Sequence, residues 1–392
     1  SENYVLRISD SASGAVSDSS DATFRVTLPI TIYYVDDGSN VGDEYTPFVS
    51  ASFPGIGDDA NDGLSPERPK ASIRSVLDTY VLGPGDIILV DTGVYTVGSN
   101  IVIDASDAGV EIRGPVTGLN EAVLDRGNTA GGSYVFQLVD ADGVTLSNLT
   151  VIGGQYGIYA SRSSDSDDVT LEEVEVRNNS SFGVYIQSSN DGLHLLDVRL
   201  HNNGISQAEL DGDDVVVTRG WFYGNSSRTG LSVTGDRAMV TGAQAWDMDT
   251  GIRVTGAGSV ISGAVVFSNR TGISGGTNVL VVDSVAYGNS GTGIAIGNGT
   301  GRNLLSHGNL NGISVSSGRL EDSRAYDNSQ AGLYISGNAT VEGYRSYGNS
   351  TGMRMAFNSS AAWATVRNNV LYDNSLFGVD LNFGGGVGSD LE

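Results

Sequence analysis

The 392 residues include no cysteine, which excludes disulfide staples and thiolate metal sites. Lysine is almost as scarce: Lys70 is the only one, and Lys and Arg together number 21 against 46 Asp and Glu. The formal charge of −25 repels phosphate backbones and anionic lipid, so nucleic acid and membrane surfaces are excluded as partners. Such a surface suits a salty or calcium-containing exterior. No apolar run approaches the roughly 18 residues of a membrane-spanning helix, and no leader-like segment is present. Helical periodicity is confined to one short stretch.

Glycine, by contrast, is abundant at 55 residues, about twice the usual share. It is organised by a phrase that recurs about every 19–26 residues from Gly143 to Asp380. An apolar run leads to an aromatic residue, a small or polar residue and Asn, and then to Gly, an aliphatic, any residue and another aliphatic. Tyr287-Gly288-Asn289 with Gly293-Ile294-Ala295-Ile296 is one copy, and Tyr347-Gly348-Asn349 with Gly352-Met353-Arg354-Met355 is another. Repetition at this period means a solenoid. Alternation within a copy has period 2, as at Ile252 and Val254, so the pieces are strands. No copy has room for a crossover helix. Each coil must stack its strands on the next, about 4.8 Å away, because one coil cannot bury its aliphatic face alone. The expected fold is all-β: a right-handed parallel β-helix of about 11–13 coils.

Asn recurs after the aromatic as Asn179, Asn203, Asn225, Asn269, Asn289, Asn309, Asn328, Asn349 and Asn374. Asn tolerates left-handed backbone, and its amide can bond the neighbouring turn. A ladder along the axis is expected.

Three regions follow. Residues 1–30 read as two strands around a Ser/Asp-rich turn and resemble the closing strands of Ig-like domains of cell-wall-associated proteins. That resemblance implies a neighbouring module in a larger exported chain. Residues 31–84 form a cap, and the β-helix fills 85–392. Within the cap, Ile73, Val76, Leu77, Tyr80 and Val81 fall on one helical face, Ser72 caps the start and Gly83-Pro84 stops the helix.

The segments Asp58-Asp59-Ala60-Asn61-Asp62-Gly63-Leu64-Ser65-Pro66, Pro69-Lys70-Ala71-Ser72-Ile73, Gly85-Asp86-Ile87-Ile88-Leu89-Val90 and Gly93-Val94-Tyr95 resemble the opening of bacterial right-handed β-helix proteins of the pectate-lyase-like superfamily. This resemblance implies a secreted or cell-surface bacterial protein directed at polysaccharide, as a lyase, glycoside hydrolase or epimerase. It also implies that the first strand after the corner often lines the substrate groove. Alginate epimerases carry Tyr-Gly-Phe-Asp-Pro-His at that corner. Here Tyr156-Gly157-Ile158-Tyr159-Ala160-Ser161 and Phe182-Gly183-Val184-Tyr185-Ile186-Gln187 lack the Asp and His.

Aligned coils bring like positions into columns. The column after the corner Gly reads Tyr159, Tyr185, Glu209, Ser232, Arg253, Ser274, and two residues on come Ser161, Gln187, Asp211 and Thr234. Glu209 and Asp211, at i and i+2 about 6.5–7 Å apart, suit acid–base work on a glycosidic bond, or calcium binding with Asp213 and Asp214. Arg253 would grip a carboxylate or sulfate, with Tyr159, Tyr185 and Gln187 beside it. A second column before the Asn reads Arg177, His201, Tyr223, Trp246, Phe267, Tyr287, His307, Tyr326, Tyr347, Tyr372. Facing outward, Tyr223 and Trp246 would be platforms for sugars; facing inward, they would be stacked core. His201 is a candidate base because it precedes Glu209 at the next corner. In the polar loop, Asp58, Asp59, Asn61 and Asp62 crowd oxygen ligands that suit Ca2+, although Asx turns account for them too. Two functions remain open: a monomeric module that binds or processes an acidic or sulfated polysaccharide, and a non-catalytic spacer or adhesive module.

Overall fold

The computed structural model describes residues 30–383 apart from 53, 119, 225–227 and 358–361, and the backbone of four short strands before residue 26. The expected module over residues 1–30 falls mostly outside the described residues. Its backbone pairs antiparallel at Asn3–Tyr4 with Phe24–Arg25 and at Arg7–Ser9 with Ser17–Ser19.

From Ile32 onward the chain winds as a parallel β-helix with three sheets. The first holds the strands after each corner Gly, from Ile101–Asp104 to Phe377–Phe383. The second runs from Ile32–Val35 to Ala364–Arg367. The third is 13-stranded, from Gly93–Thr96 to Val370–Tyr372, and takes one strand from each coil. The coil count therefore agrees with the repeat.

The interior is a stack of aliphatic columns. Ile158, Val184, Ala208, Leu231, Ile252, Ile273, Ile294 and Ile313 follow one another at 0% exposure, each contributing roughly 1.5–3 kcal/mol of burial for the larger side chains. At the corner between the third and first sheets the Asn side chains form the expected ladder. Nδ2 of Asn289 donates to Oδ1 of Asn309 (2.8 Å), Asn309 to Asn328 (3.1 Å), Asn328 to Asn349 (2.9 Å) and Asn349 to Asn374 (3.1 Å). Each backbone amide donates to the same acceptor, as Asn289 does to Asn309 Oδ1 at 2.9 Å. Asn225 lies outside the described residues, and in the next coil Met248 takes the slot, its amide donating to Asn269 Oδ1.

The left-handed backbone expected of the ladder Asn belongs instead to the residue before it: Asn178, Asn202, Asp247 and Ser268 have φ between 55° and 57°. The ladder Asn is there for its amide. The corner Gly answers to the same amide. A Cβ on Gly183 would meet Asn203 Nδ2 at 2.7 Å and Gln207 O at 2.5 Å, closer than real atoms approach.

The cap contains helix α1 (Ile73–Thr79), with Ser72 Oγ accepting from the Ser75 amide at 3.1 Å. Ile73 and Val76 are buried, and Leu77 and Tyr80 are partly so. Val81, expected on the same face, is 79% exposed. The helix ends earlier than Gly83-Pro84 because Tyr80 turns extended, its ring lying 4.8 Å from Tyr33 and its hydroxyl donating to Asp62 O.

Candidate functional site

The register of the first sheet makes Tyr159, Tyr185, Glu209, Ser232, Arg253 and Ser274 successive Cα partners. Their inward neighbours Ile158, Val184, Ala208, Leu231 and Ile252 are fully buried, so this column points out of the coil. Tyr159 and Tyr185 lie 5.8 Å apart, ring centre to ring centre. Gln187 ties them together: its Nε2 donates to the Tyr185 hydroxyl at 2.8 Å, and its Oε1 accepts from the Tyr159 hydroxyl at 3.4 Å.

Three further rings complete this cluster. Phe182 stacks on Tyr185 at 4.6 Å, Tyr156 meets Phe182 edge-on at 5.4 Å, and Tyr134 lies 4.5 Å from Tyr159. The column reading passed over them. Strict alternation would turn the residue before the corner Gly inward with Ile158, but the corner breaks the period and leaves Tyr156 and Phe182 half-buried while Gly157 and Gly183 are buried. The signal in the sequence is that this position is aromatic at Tyr134, Tyr156 and Phe182, then Ser206, Thr229, Thr250 and Thr271, and aromatic again at Phe377. Burial raises the Tyr159 hydroxyl above its ordinary range, and Tyr185 adds to the effect. Tyr159 therefore keeps its proton and donates it in a hydrogen bond to Gln187 Oε1.

Beside the rings, Glu209 is half-buried and accepts from Ser232 Oγ at 3.2 Å. Burial pushes its carboxyl above the usual range. The Ser232 hydroxyl and the Arg253 and Arg228 guanidiniums oppose this, while the Asp211 charge reinforces it. Asp211 accepts from Thr234 Oγ1 at 2.6 Å. Arg228 is a second cation near Glu209 that sequence reasoning did not single out. The structure thus brings Tyr159, Tyr185, Gln187, Glu209, Asp211 and Arg253 to one face.

Other expected residues go elsewhere. His201 lies on the third sheet, around the Asn corner from Glu209. Its Nε2 is 3.1 Å from Glu175 Oε1 and its ring stacks on Tyr223 at 4.6 Å; its partner is Glu175, not Glu209. Tyr223 and Trp246 continue a column of rings that runs through Phe267, Tyr287, His307, Tyr326 and Tyr347 to Tyr372. Centroids are 4.4–5.5 Å apart and planes lie within 17°. The column faces outward, since Phe222, Ala245, Val266 and Ala286 are at 0% exposure behind it. Yet Tyr223 and Trp246 are not free platforms for sugar. Both faces of each ring are covered by the rings above and below, and only the edges meet solvent.

Asp213 and Asp214 pair with Arg237 at 3.1 and 2.7 Å and do not join Glu209. In the cap loop, Asp58 Oδ1 accepts from the Ala60 amide, Asp62 Oδ1 from Leu64 and Asp59 Oδ1 from Ala71, while Asn61 Nδ2 donates to Pro69 O. These side chains fold the loop on itself and do not converge on a common point. A separate hollow of about 390 Å³ opens on the third sheet, lined by Glu173, Glu175, Asp197 and Arg199 among others. Glu175 and Asp197 there are already held by Arg177 and Arg219 at 2.7 and 2.5 Å.

A family model described as the right handed beta helix region matches residues 76–226 and 229–390. The chain belongs to the right-handed beta helix family. No curated protein matches this β-helix in sequence. Among solved structures it is similar to the A-module of the mannuronan C-5 epimerase AlgE4 of Azotobacter vinelandii, with 18% identity, a TM-score of 0.52, and coverage of 86% of this chain and 97% of that one. XylC in complex with xylose is similar at 9% identity and a TM-score of 0.55, over 79% of this chain and 76% of that one. The Dettilon tailspike protein is similar at 11% identity and a TM-score of 0.55, over 87% and 68%. At these identities the likeness is one of fold. No helix among the described residues is long and apolar enough to cross a membrane.

Proposed function

We propose that this β-helix is an extracellular module that binds an acidic polysaccharide along the outward face of its first sheet and hydrolyses it beside Glu209. The observation that carries the reading is the single register column Tyr159, Tyr185, Glu209, Ser232, Arg253. It spans roughly 19 Å at about 4.8 Å per coil, a length that accommodates several sugar units. Rings at one end supply flat apolar surface, and Arg253 with Arg228 attracts a carboxylate or sulfate.

Glu209, whose carboxyl burial raises above its ordinary range, donates to the leaving glycosidic oxygen when protonated. Asp211 takes a proton from the attacking water. Their strand spacing of about 6.5–7 Å falls at the lower end of the separation used when a water enters between two carboxyls. Proton abstraction at C5, as in a lyase or epimerase, needs a base that is deprotonated at working pH, and the raised Tyr159 hydroxyl holds its proton instead. The names of similar folds, a mannuronan epimerase and a xylose complex, agree with a glycan as partner.

The test is incubation with a panel of uronate-containing and sulfated oligosaccharides, reading reducing ends, unsaturated products and C5 configuration separately. New reducing ends without unsaturation, lost in Glu209→Gln, support hydrolysis. The second reading, a non-catalytic spacer or adhesive module, draws on the coils beyond Arg253, whose column continues as Ser274, Ala295 and Ser314. It is favoured if no glycan is turned over.

A further inference from the structure

Asp36 is completely buried, and neither of its carboxylate oxygens has a hydrogen-bond partner. Both oxygens of Asp43 are likewise out of contact with solvent and unpartnered. Oxygens of Asp36, Asp43 and Asp91 lie within 4.8 Å of one another, the one such acidic group among the described residues.

The fold forces this meeting. Ile32–Val35 pairs in parallel with Ile87–Val90, so Asp36 and Asp91 leave adjacent strands side by side. The cap loop then wraps Asp91, whose Oδ1 accepts from the amides of Glu44 and Thr92 and whose Oδ2 accepts from the amides of Tyr45 and Thr46 and the Thr46 hydroxyl, at 2.6–2.8 Å. That wrap delivers Asp43. Glu44 reaches on to the third coil, accepting from the amides of Val116 and Thr117. Asp37, like Asp91, adds charge while its own oxygens take backbone amides, those of Ser39 and Val94.

No described ion pair involves Asp36, Asp43 or Asp91. Burial and the neighbouring Asp43, Asp37 and Asp91 charges push Asp36 up to about 8. Burial, with Asp91 and Asp37, pushes Asp43 up to about 6. Unpaired buried carboxylates are costly, and a cap that needed only to cover a coil would place apolar side chains here. Clustered oxygen donors that lack a counter-charge are what a hard cation requires.

We propose that the unpartnered carboxylates of Asp36 and Asp43 bind a calcium ion that clamps the cap loop to the first coils, with Asp91, saturated by the loop's own donors, fixing the loop and adding negative charge beside it. Calcium is favoured over magnesium because it accepts flexible, protein-supplied oxygen cages, whereas magnesium keeps several waters that a fully buried Asp36 leaves little room for. This site is independent of the first-sheet face and of any activity there.

The test uses the full chain, dialysed against a chelator and titrated with CaCl2 near pH 7.5. One ion per chain is expected by calorimetry, together with a rise of several degrees in the thermal midpoint. Terbium offered in place of calcium should luminesce on tyrosine excitation, since the Tyr95 hydroxyl donates to Asp91 O at 2.8 Å. Asp36→Asn should lose the calcium shift and the luminescence. Asp43→Asn, at a less buried position, should do the same and carries the test if the first variant does not fold. Asp62→Asn should keep both. The proposal is overturned by an unchanged midpoint with no binding heat in the parent protein at millimolar calcium, by a shift that survives in both cluster variants, or by a response to magnesium with none to calcium.

Discussion

Tyr185 and Glu209 are direct register partners on adjacent coils of the first sheet, which sets an aromatic surface and a half-buried carboxyl on one face about 4.8 Å apart along the axis. Under the proposed function, the ring would place a sugar and the carboxyl would act on its neighbour. Tyr185→Ala is expected to weaken oligosaccharide affinity by about tenfold, equivalent to about 1.4 kcal/mol, with folding unchanged. Glu209→Gln should keep affinity and lose turnover. Titration calorimetry alongside product analysis separates the two.

The pH profile follows from the same carboxyl. Burial raises Glu209 above its ordinary value of 4.5, the Asp211 charge adds to this, and the arginines oppose it. A general acid must be protonated, so activity should fall as pH rises through the Glu209 pKa. Removing a nearby negative charge lowers that pKa, and removing a positive one raises it. In residual-rate profiles, Asp211→Asn should move the alkaline limb to lower pH and Arg253→Ala should move it to higher pH. Opposite shifts, or none, would count against Glu209 as the proton donor.

The Asn ladder makes a stability prediction. Asn309 donates to Asn328 Oδ1, Ala286 O and Ser306 Oγ, and its Oδ1 accepts from the amide and side chain of Asn289. Asn309→Ala leaves buried partners unsatisfied at about 1–3 kcal/mol for each group stranded. Urea denaturation should show a loss of at least that size, whereas Asn298→Ala, at an exposed position without left-handed backbone, should cost under about 1 kcal/mol.

His307 sits between the rings of Tyr287 and Tyr326 at 5.4 and 4.8 Å, and burial lowers its pKa below 6.5. A His whose folded pKa is depressed binds fewer protons folded than unfolded. Its contribution is complete above about pH 6.5 and is lost as pH falls through that value toward the folded pKa. His307→Phe should therefore flatten the thermal midpoint between pH 7 and pH 5 relative to the parent chain.

The spacing of Gly, Asn and aromatic residues was enough to read the coil, the number of coils and the column Tyr159, Tyr185, Glu209, Arg253. In a solenoid, neighbours along the axis are equivalent positions in the text, so period becomes contact. The sequence could not settle which side of the third sheet faces solvent, because small residues such as Ala245 and Ala286 are compatible with either side. Packing against the other two sheets decided it. Stacking in turn covered the faces of Tyr223 and Trp246, which no periodicity reveals. His201 met Glu175 because corners rotate the outer faces apart. Asp36, Asp43 and Asp91 converge where the cap breaks the repeat, and contacts made by a loop folding back have no period to be read from.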